Sequence, residues 1–404
     1  MKKIWLQLKD YYGEYLLLIA LAIVIGLIVG VVDAYFGMIL LKITEIRSLS
    51  PFLWIPFLPL VGLFIVFMYQ KYGKTSGQGM GLIFEVGQGE NKGIPFRLIP
   101  LIIGGTWLTH LFGGSAGREG VAVQIGATVA HTVGNRLNLV KFQTLLIVIG
   151  MAAGFAGLFQ TPIAATFFAL EVMIAGKFIY PALIPALVAS FVASTTSHFL
   201  GLEKFQVYLA EPFDFSLFHF LLLAIVGIIF GVVGSLFAKS LSILKVKMAM
   251  WFKNPYRRVF IIACGLSILL LFFYQGRYAG LGTNLITASF SGQHIYSYDF
   301  ILKLIFTVCT LAVGFQGGEV TPLFSIGATL GVVLANILHL PVTLFAALGY
   351  AAVFGSATNT LLAPILIGCE VFGFEHFPSF FIVCAFAYFF NFNQSIYGKQ
   401  QILK

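Results

Sequence analysis

Charge is what this sequence has little of. Lys and Arg number 24 and Asp and Glu 15, so 10% of the 404 residues are charged. Soluble domains carry about a quarter. A chain this long could bury a large core, but it lacks the charged residues to cover the outside of one. Apolar residues make up 59%, and the surplus apolar surface must face lipid. Cysteine is also scarce. Cys264, Cys309, Cys369 and Cys384 each stand alone in an apolar stretch, which excludes a disulfide framework and Cys-ligated metal and reads as small buried hydrophobes. The histidines, His110, His131, His198, His219, His294, His339 and His376, show no ligand pairing, so neither a metal site nor a cofactor is expected. What is abundant is Gly and Phe, 43 of each. Gly lets membrane helices approach closely.

The net charge of +9 raises nucleic acid as a partner, but its distribution excludes that. Lys and Arg read as short connections between apolar runs, as in Lys239, Lys245, Lys247, Lys253, Arg257 and Arg258. By the positive-inside rule that cluster is a cytoplasmic loop. The basic start with Lys2, Lys3 and Lys9 and the tail from Lys399 to Lys404 belong to the same side. The first apolar run, Tyr15 to Val32, leads into Asp33-Ala34-Tyr35-Phe36 rather than a small-residue cleavage site. It is expected to be a retained membrane helix and not a signal peptide. Later runs include Leu98 to Phe112, Leu145 to Leu170, Phe215 to Phe237 and Leu323 to Leu340. Several are too short for a full ~20-residue span or are interrupted by Gly or Pro.

The chain contains a repeat. Gly150 to Met173 reads GMAAGFAGLFQTPIAATFFALEVM, and Gly349 to Phe372 reads GYAAVFGSATNTLLAPILIGCEVF. They align without a gap and share Gly150/Gly349, Phe155/Phe354, Thr161/Thr360 and Glu171/Glu370. Upstream, Ile125-Gly126-Ala127-Thr128 matches Ile326-Gly327-Ala328-Thr329. Matched Thr and Glu at one offset argue for duplication, and duplicated halves with interrupted helices place a transport site where the halves meet. Whether the halves are parallel or inverted is not decided by the residues.

Two glycine-rich segments carry the chemistry. Gly113 to Gly126 reads GGSAGREGVAVQIG, and Gly317 to Gly327 reads GGEVTPLFSIG. Both read as helix N-termini at membrane depth, with Pro322 in the first turn of the second. Unpaired N–H groups and partial positive charge there suit an anion. Glu119 is a carboxylate in apolar surroundings, hence a functional candidate. If it competes with an anion for a helix N-terminus and leaves when protonated, anion and proton movement are coupled. The other reading is an ion pair with Arg118.

These residues resemble the CLC family of chloride channels and anion/proton exchangers. GREGV at Gly117 to Val121 is similar to the family's GREGP, and GEVTP at Gly318 to Pro322 to its GxFxP. GQGMG at Gly77 to Gly81 falls where the family has GSGIP. Tyr397 lies where a CLC tyrosine closes the anion path. The departures are informative. Met80 replaces the family's anion-binding serine, Val121 and Val320 replace a proline and a phenylalanine, and Thr321 and Glu319 add a hydroxyl and an acid. This pattern looks like the fluoride-exporting branch. The family's inner proton-transfer glutamate aligns with Val172, which leaves Glu319 as the candidate for that step, the other reading being a solvated loop acid. Glu171 and Glu370 read as structural acids.

The resemblance implies an all-α polytopic membrane protein with a CLC-type fold: two related inverted halves whose broken helices meet at a midplane anion site. It implies a single transport domain over 1–404, with halves of about 1–205 and 206–404 and no cytoplasmic regulatory domain. The expected function is proton-coupled export of fluoride, the alternatives being a chloride/proton exchanger or a passive anion channel. An enzyme is not expected, because no nucleophile–base pair is found. The site is expected to comprise Glu119 and Glu319 for protons, with Gly79, Met80, Gly81, Gly120, Val121, Val320, Thr321 and Tyr397 around the anion. Fluoride and protons are the expected cargo, membrane lipid and a second copy of the chain the expected partners. The expected location is a cell membrane, such as a bacterial inner membrane, with both termini cytoplasmic.

Overall fold

The structure is a computed structural model that describes residues 2–90, 93–209 and 216–403, with side chains described from Tyr12 onward. The side chains of Lys2, Lys3 and Lys9 lie outside the described set, as do Phe215 and Lys404.

The described residues are mostly helical. In order the helices are α1 (Lys2–Leu49), α2 (Pro51–Trp54), α3 (Leu58–Met68), α4 (Met80–Gly87), α5 (Leu98–Leu111), α6 (Glu119–Arg136), α7 (Gln143–Phe159), α8 (Pro162–Glu171) and α9 (Leu183–Phe199). The second half follows with α10 (Leu217–Trp251), α11 (Pro255–Phe272), α12 (Thr283–Phe290), α13 (Asp299–Val313), α14 (Val320–Leu338), α15 (Val342–Thr358), α16 (Leu362–Phe372) and α17 (Phe377–Phe389). Among the described residues, seven segments are long and apolar enough to cross a membrane. Others, such as α4 with 8 residues and α8 with 10, are too short to cross alone. Their ends stop inside the protein, which lipid permits only where other protein or a cavity covers them.

Several elements differ from their apolar runs for physical reasons. The run Tyr15 to Val32 is the middle of a 48-residue helix, because extending a formed helix through good helix formers costs little. The run Leu145 to Leu170 is two helices. Gln160 adopts a left-handed conformation (φ 58°) after α7, and Pro162 opens α8 at a position where its missing N–H is not needed. The basic cluster is also not a loop. Lys239, Lys245 and Lys247 ride on the 35-residue α10, and Arg257 and Arg258 lie in the first turn of α11. Only Lys253 sits in the connection. Lys and Arg are good helix formers, so scarce apolar content does not end a helix.

The duplicated sequence produces duplicated contacts. A Cβ on Gly126 would collide with the Gly150 carbonyl, and one on Gly327 with the Gly349 carbonyl. Each matched pair brings two helix backbones into direct contact, α6 on α7 and α14 on α15. The halves also trade helix caps. Glu171, at the end of α8, accepts hydrogen bonds from the N–H groups of Leu361 (3.2 Å), Leu362 (3.2 Å) and Ala363 (2.8 Å) at the start of α16. Glu370, near the end of α16, accepts from Ile163 (3.2 Å) and Ala164 (2.7 Å) at the start of α8. Such reciprocity needs a two-fold relation between the halves. Each carboxylate satisfies N–H groups that a helix start leaves unpaired. We expect Glu171→Ala to destabilise the protein by roughly 1.5–3 kcal/mol, the range for hydrogen bonds to a charged group. Thermal unfolding of the purified protein in detergent checks this, and an unchanged midpoint would count against the capping role.

Candidate functional site

The two glycine-rich segments meet head to head. Gly117 and Gly318 exchange backbone hydrogen bonds, N–H of Gly117 to O of Gly318 at 2.5 Å and the reverse at 2.8 Å, in a single antiparallel bridge. A side chain on Gly117 would overlap Pro322 and the Gly318 carbonyl, so only glycine permits this approach. The bridge sets the first turns of α6 and α14 side by side.

Glu119 is the first residue of α6 and is fully buried. Its carboxylate crosses to the other half. Oε2 accepts hydrogen bonds from the Thr321 hydroxyl (2.6 Å), the Thr321 N–H (3.1 Å) and the Arg118 N–H (3.3 Å). The Thr321 N–H is one of the donors that the start of α14 leaves unpaired. Oε1 has no hydrogen bond, and Arg118 Nε stands 3.8 Å from it. Arg118 Nε and Nη1 are themselves buried without partners. The ion pair with Arg118 is therefore loose, and the short bonds are those to Thr321. The seat that holds this carboxylate is built to hold an anion.

Behind it opens a cavity of ≈600 Å³ lined by Gly79, Met80, Gly81, Glu319, Tyr397 and neighbours. Gly79 sits before α4 with φ 57° and ψ −132°, a conformation only glycine adopts readily, and it delivers Met80 as the first residue of the helix. Glu319 caps α14 with its backbone, and its Oε2 lies 3.6 Å from where a Cβ on Gly120 would stand. The two acids thus flank one glycine. Tyr397 is stacked on Phe84 with ring centroids 5.2 Å apart. Its segment is strapped in place. Gln400 Nε2 donates to the carbonyls of Val172 (2.8 Å) and Thr358 (3.0 Å). Gln88 Nε2 donates to the Lys399 carbonyl at 3.0 Å, and Lys399 pairs with Glu85 at 2.8 Å. A two-residue parallel pairing of β1 (Ile174–Ala175) with β2 (Gln401–Ile402) completes the strap.

Gly79, Met80, Gly81, Glu319 and Tyr397 share the cavity, whereas Glu119, Gly120 and Thr321 are not among its lining residues and meet it only through Glu319 beside Gly120. The side chains of Val121 and Val320 instead turn into the apolar core, and the Val121 N–H is engaged by the Arg118 carbonyl at 3.1 Å. Sequence reasoning missed several lining residues, Gln124 and Lys245 among them. Gln124 Nε2 donates to the Gly120 carbonyl (3.1 Å) while its Oε1 is buried without a partner. A lone amide one turn after Gly120 in an apolar helix was the available signal. Lys245 lines the same cavity within electrostatic range of Glu319, and its reading as a loop residue concealed it.

The family model for the voltage gated chloride channel matches residues 61–391. This chain belongs to that family. A chloride/fluoride channel protein of Pseudomonas syringae pv. tomato is 36% identical over 98% of this chain and 88% of its own length. A solved structure described as a CLC-type fluoride/proton antiporter is 57% identical, with a TM-score of 0.96 over 97% of this chain and 99% of that one. A slow cyanobacterial Cl−/H+ antiporter, 21% identical with a TM-score of 0.77 over 93% of this chain and 94% of its own, shares the fold. The all-α CLC fold with inverted halves is thereby shown. Within that fold, Met80 stands at the start of α4, and Glu319 and Thr321 at the start of α14.

Proposed function

We propose that this protein is a secondary transporter that exports fluoride in exchange for protons. The observation that carries the reading is the seat of Glu119. An ionised carboxylate occupies the Thr321 donors that a free anion would need. Once protonated, the carboxyl loses its attraction for the positive end of α14 and can swing out, and the anion takes its place. Each cycle then moves an anion one way and a proton the other. Glu319, across Gly120, supplies the inner proton step and repels anions until it is protonated. The likeness to a fluoride/proton antiporter at 57% identity supports fluoride as the anion.

Met80 stands where chloride-type members offer a hydroxyl, and a thioether donates no hydrogen bond. Chloride therefore loses a donor here, which disfavours the chloride/proton exchanger. We expect Met80→Ser to raise the chloride flux relative to fluoride by about tenfold, the worth of one hydrogen bond to a charged group. Unchanged flux ratios would remove Met80 from the selectivity determinants. The working unit is a homodimer with one ion path per subunit, in a bacterial inner membrane with both termini cytoplasmic. The deciding experiment reconstitutes purified protein into liposomes and records fluoride efflux, chloride efflux and proton uptake together. Fluoride efflux with stoichiometric proton uptake is expected, and fluoride movement without protons would overturn the reading.

A further inference from the structure

A second cavity, of ≈580 Å³, lies at the other end of the molecule. Its position follows from α1. Near the start of that helix Tyr15 donates to the Pro181 carbonyl, on the side where Ile174–Ala175 pairs with the C-terminal strand. Arg47, which lines the second cavity, is on the last turn of α1. At 1.5 Å per residue the two positions are about 48 Å apart, more than a bilayer core. The second cavity therefore opens on the face opposite the C-terminal strap.

The fold's two-fold relation makes this cavity the counterpart of the first. Helix α4 has 8 residues, follows Gly79 (φ 57°) and opens onto the first cavity. Helix α12 has 8 residues, follows Gly282 (φ 86°) and opens onto the second. Thr283 and Asn284 stand at its start, and both line the cavity.

Two buried cations sit at this helix start without acidic partners. Arg47 is 6% exposed and donates from Nη1 to the His110 carbonyl at 2.8 Å. Lys303 is fully buried, with its ammonium bonded to Ser115 Oγ (2.9 Å), the Tyr278 carbonyl (3.1 Å) and the Gly280 carbonyl (2.7 Å). Among the described residues no carboxylate lies within 4.0 Å of either. Arg277 also lines the cavity but is neutralised by Asp299 at 2.7 Å, and Glu45 is the acid at the rim. Unpaired buried charge is expensive. A cavity lined by a guanidinium without a carboxylate partner and by a helix N-terminus offsets that cost by drawing an anion.

We propose that this cavity is a second anion site, for a small monovalent anion such as a halide, on the face opposite the C-terminal strap. It goes beyond the transport reading, because anion capture here does not depend on proton coupling. Lys303 ties the site to the gate: it holds Ser115, four residues before Glu119, against the loop that leads into α12.

Thiol labelling tests it without reference to transport. Thr287, an exposed residue of the cavity, is replaced by Cys. Membrane-impermeant anionic and cationic thiol reagents are then added on the face opposite the C-terminal strap. The unsubstituted chain controls for labelling of its natural cysteines. The anionic reagent should react about tenfold faster than the cationic one, after correction for their rates with a free thiol, since focusing in a charged cleft reaches that scale. External fluoride or chloride should slow it. Arg47→Gln in the same background should abolish the preference. So should Thr283→Asp, which sets a tethered anion at the helix start and leaves the buried bonds of Arg47 in place. Equal labelling by both reagents overturns the proposal, as does a preference that survives in both variants. Failure of fluoride/proton exchange in liposomes would instead overturn the transport reading and leave this outcome standing.

Discussion

Glu119→Gln is expected to abolish proton uptake while leaving the protein folded. The amide oxygen can still accept from the Thr321 N–H and hydroxyl, which hold the native carboxylate at 3.1 and 2.6 Å. The seat therefore stays filled, and the first turn of α14 keeps a partner. An amide does not take up a proton at any physiological pH, so the event that releases the gate is missing. Loss of a positioned proton carrier typically costs 10²–10⁴ in rate, so proton uptake in proteoliposomes should fall by about a hundredfold or more. Fluoride efflux should fall with it, because the neutral side chain remains on the anion's donors. Size-exclusion elution and the thermal midpoint separate this from misfolding. Proton uptake at the wild-type ratio to fluoride would show that Glu119 is not the coupling residue.

Glu319→Gln is expected to impair coupled transport nearly as severely, by roughly a hundredfold. The reason is position. Glu319 Oε2 sits beside Gly120, the residue next to Glu119, and its other side faces the ≈600 Å³ cavity. Of the two acids among the described residues that line this cavity, Glu85 is paired with Lys399, and Glu319 is the one beside Gly120, placed to receive a proton from the cavity and hand it toward Glu119. The competing account is a solvated acid that only tunes the local potential. In that case Lys245 and salt would screen it within about 8–10 Å, and its loss would change the rate by a small factor. Glu171→Gln serves as the contrast. Its carboxylate is committed to three N–H groups of α16, so the change should lower stability and leave the proton-to-fluoride ratio intact. Full coupling in Glu319→Gln at matched protein density would return that residue to the surface and require another inner proton route.

The parts of the candidate site that are legible in the sequence share a physical signature. Glu119 and Glu319 stand out because carboxylates are rare and costly in an apolar chain. The glycines around them stand out because close backbone approach excludes every other residue, as Gly117 against Gly318 shows. The parts that are not legible depend on distances across the fold. Val121 and Val320 belong to the same short segments, yet helix phase turns them into the core. Lys245 reads as one cation among several, and only the 35-residue run of α10 carries it to the cavity beside Glu319.

From the sequence alone follow the membrane class, the duplication, the two helix starts and the acids at risk of burial. Each rests on composition or local spacing, which are properties of the chain itself. The partner of Glu119 was decided elsewhere. Its strongest bonds reach Thr321, in the other half of the chain, and no local pattern in either segment encodes that the two N-termini face each other. The exchange of caps between Glu171 and Glu370 has the same origin, as does the cavity at Arg47. These contacts exist because two copies of one helical unit pack about a two-fold relation. That packing brings together unpaired N–H groups and charges that lie about two hundred residues apart.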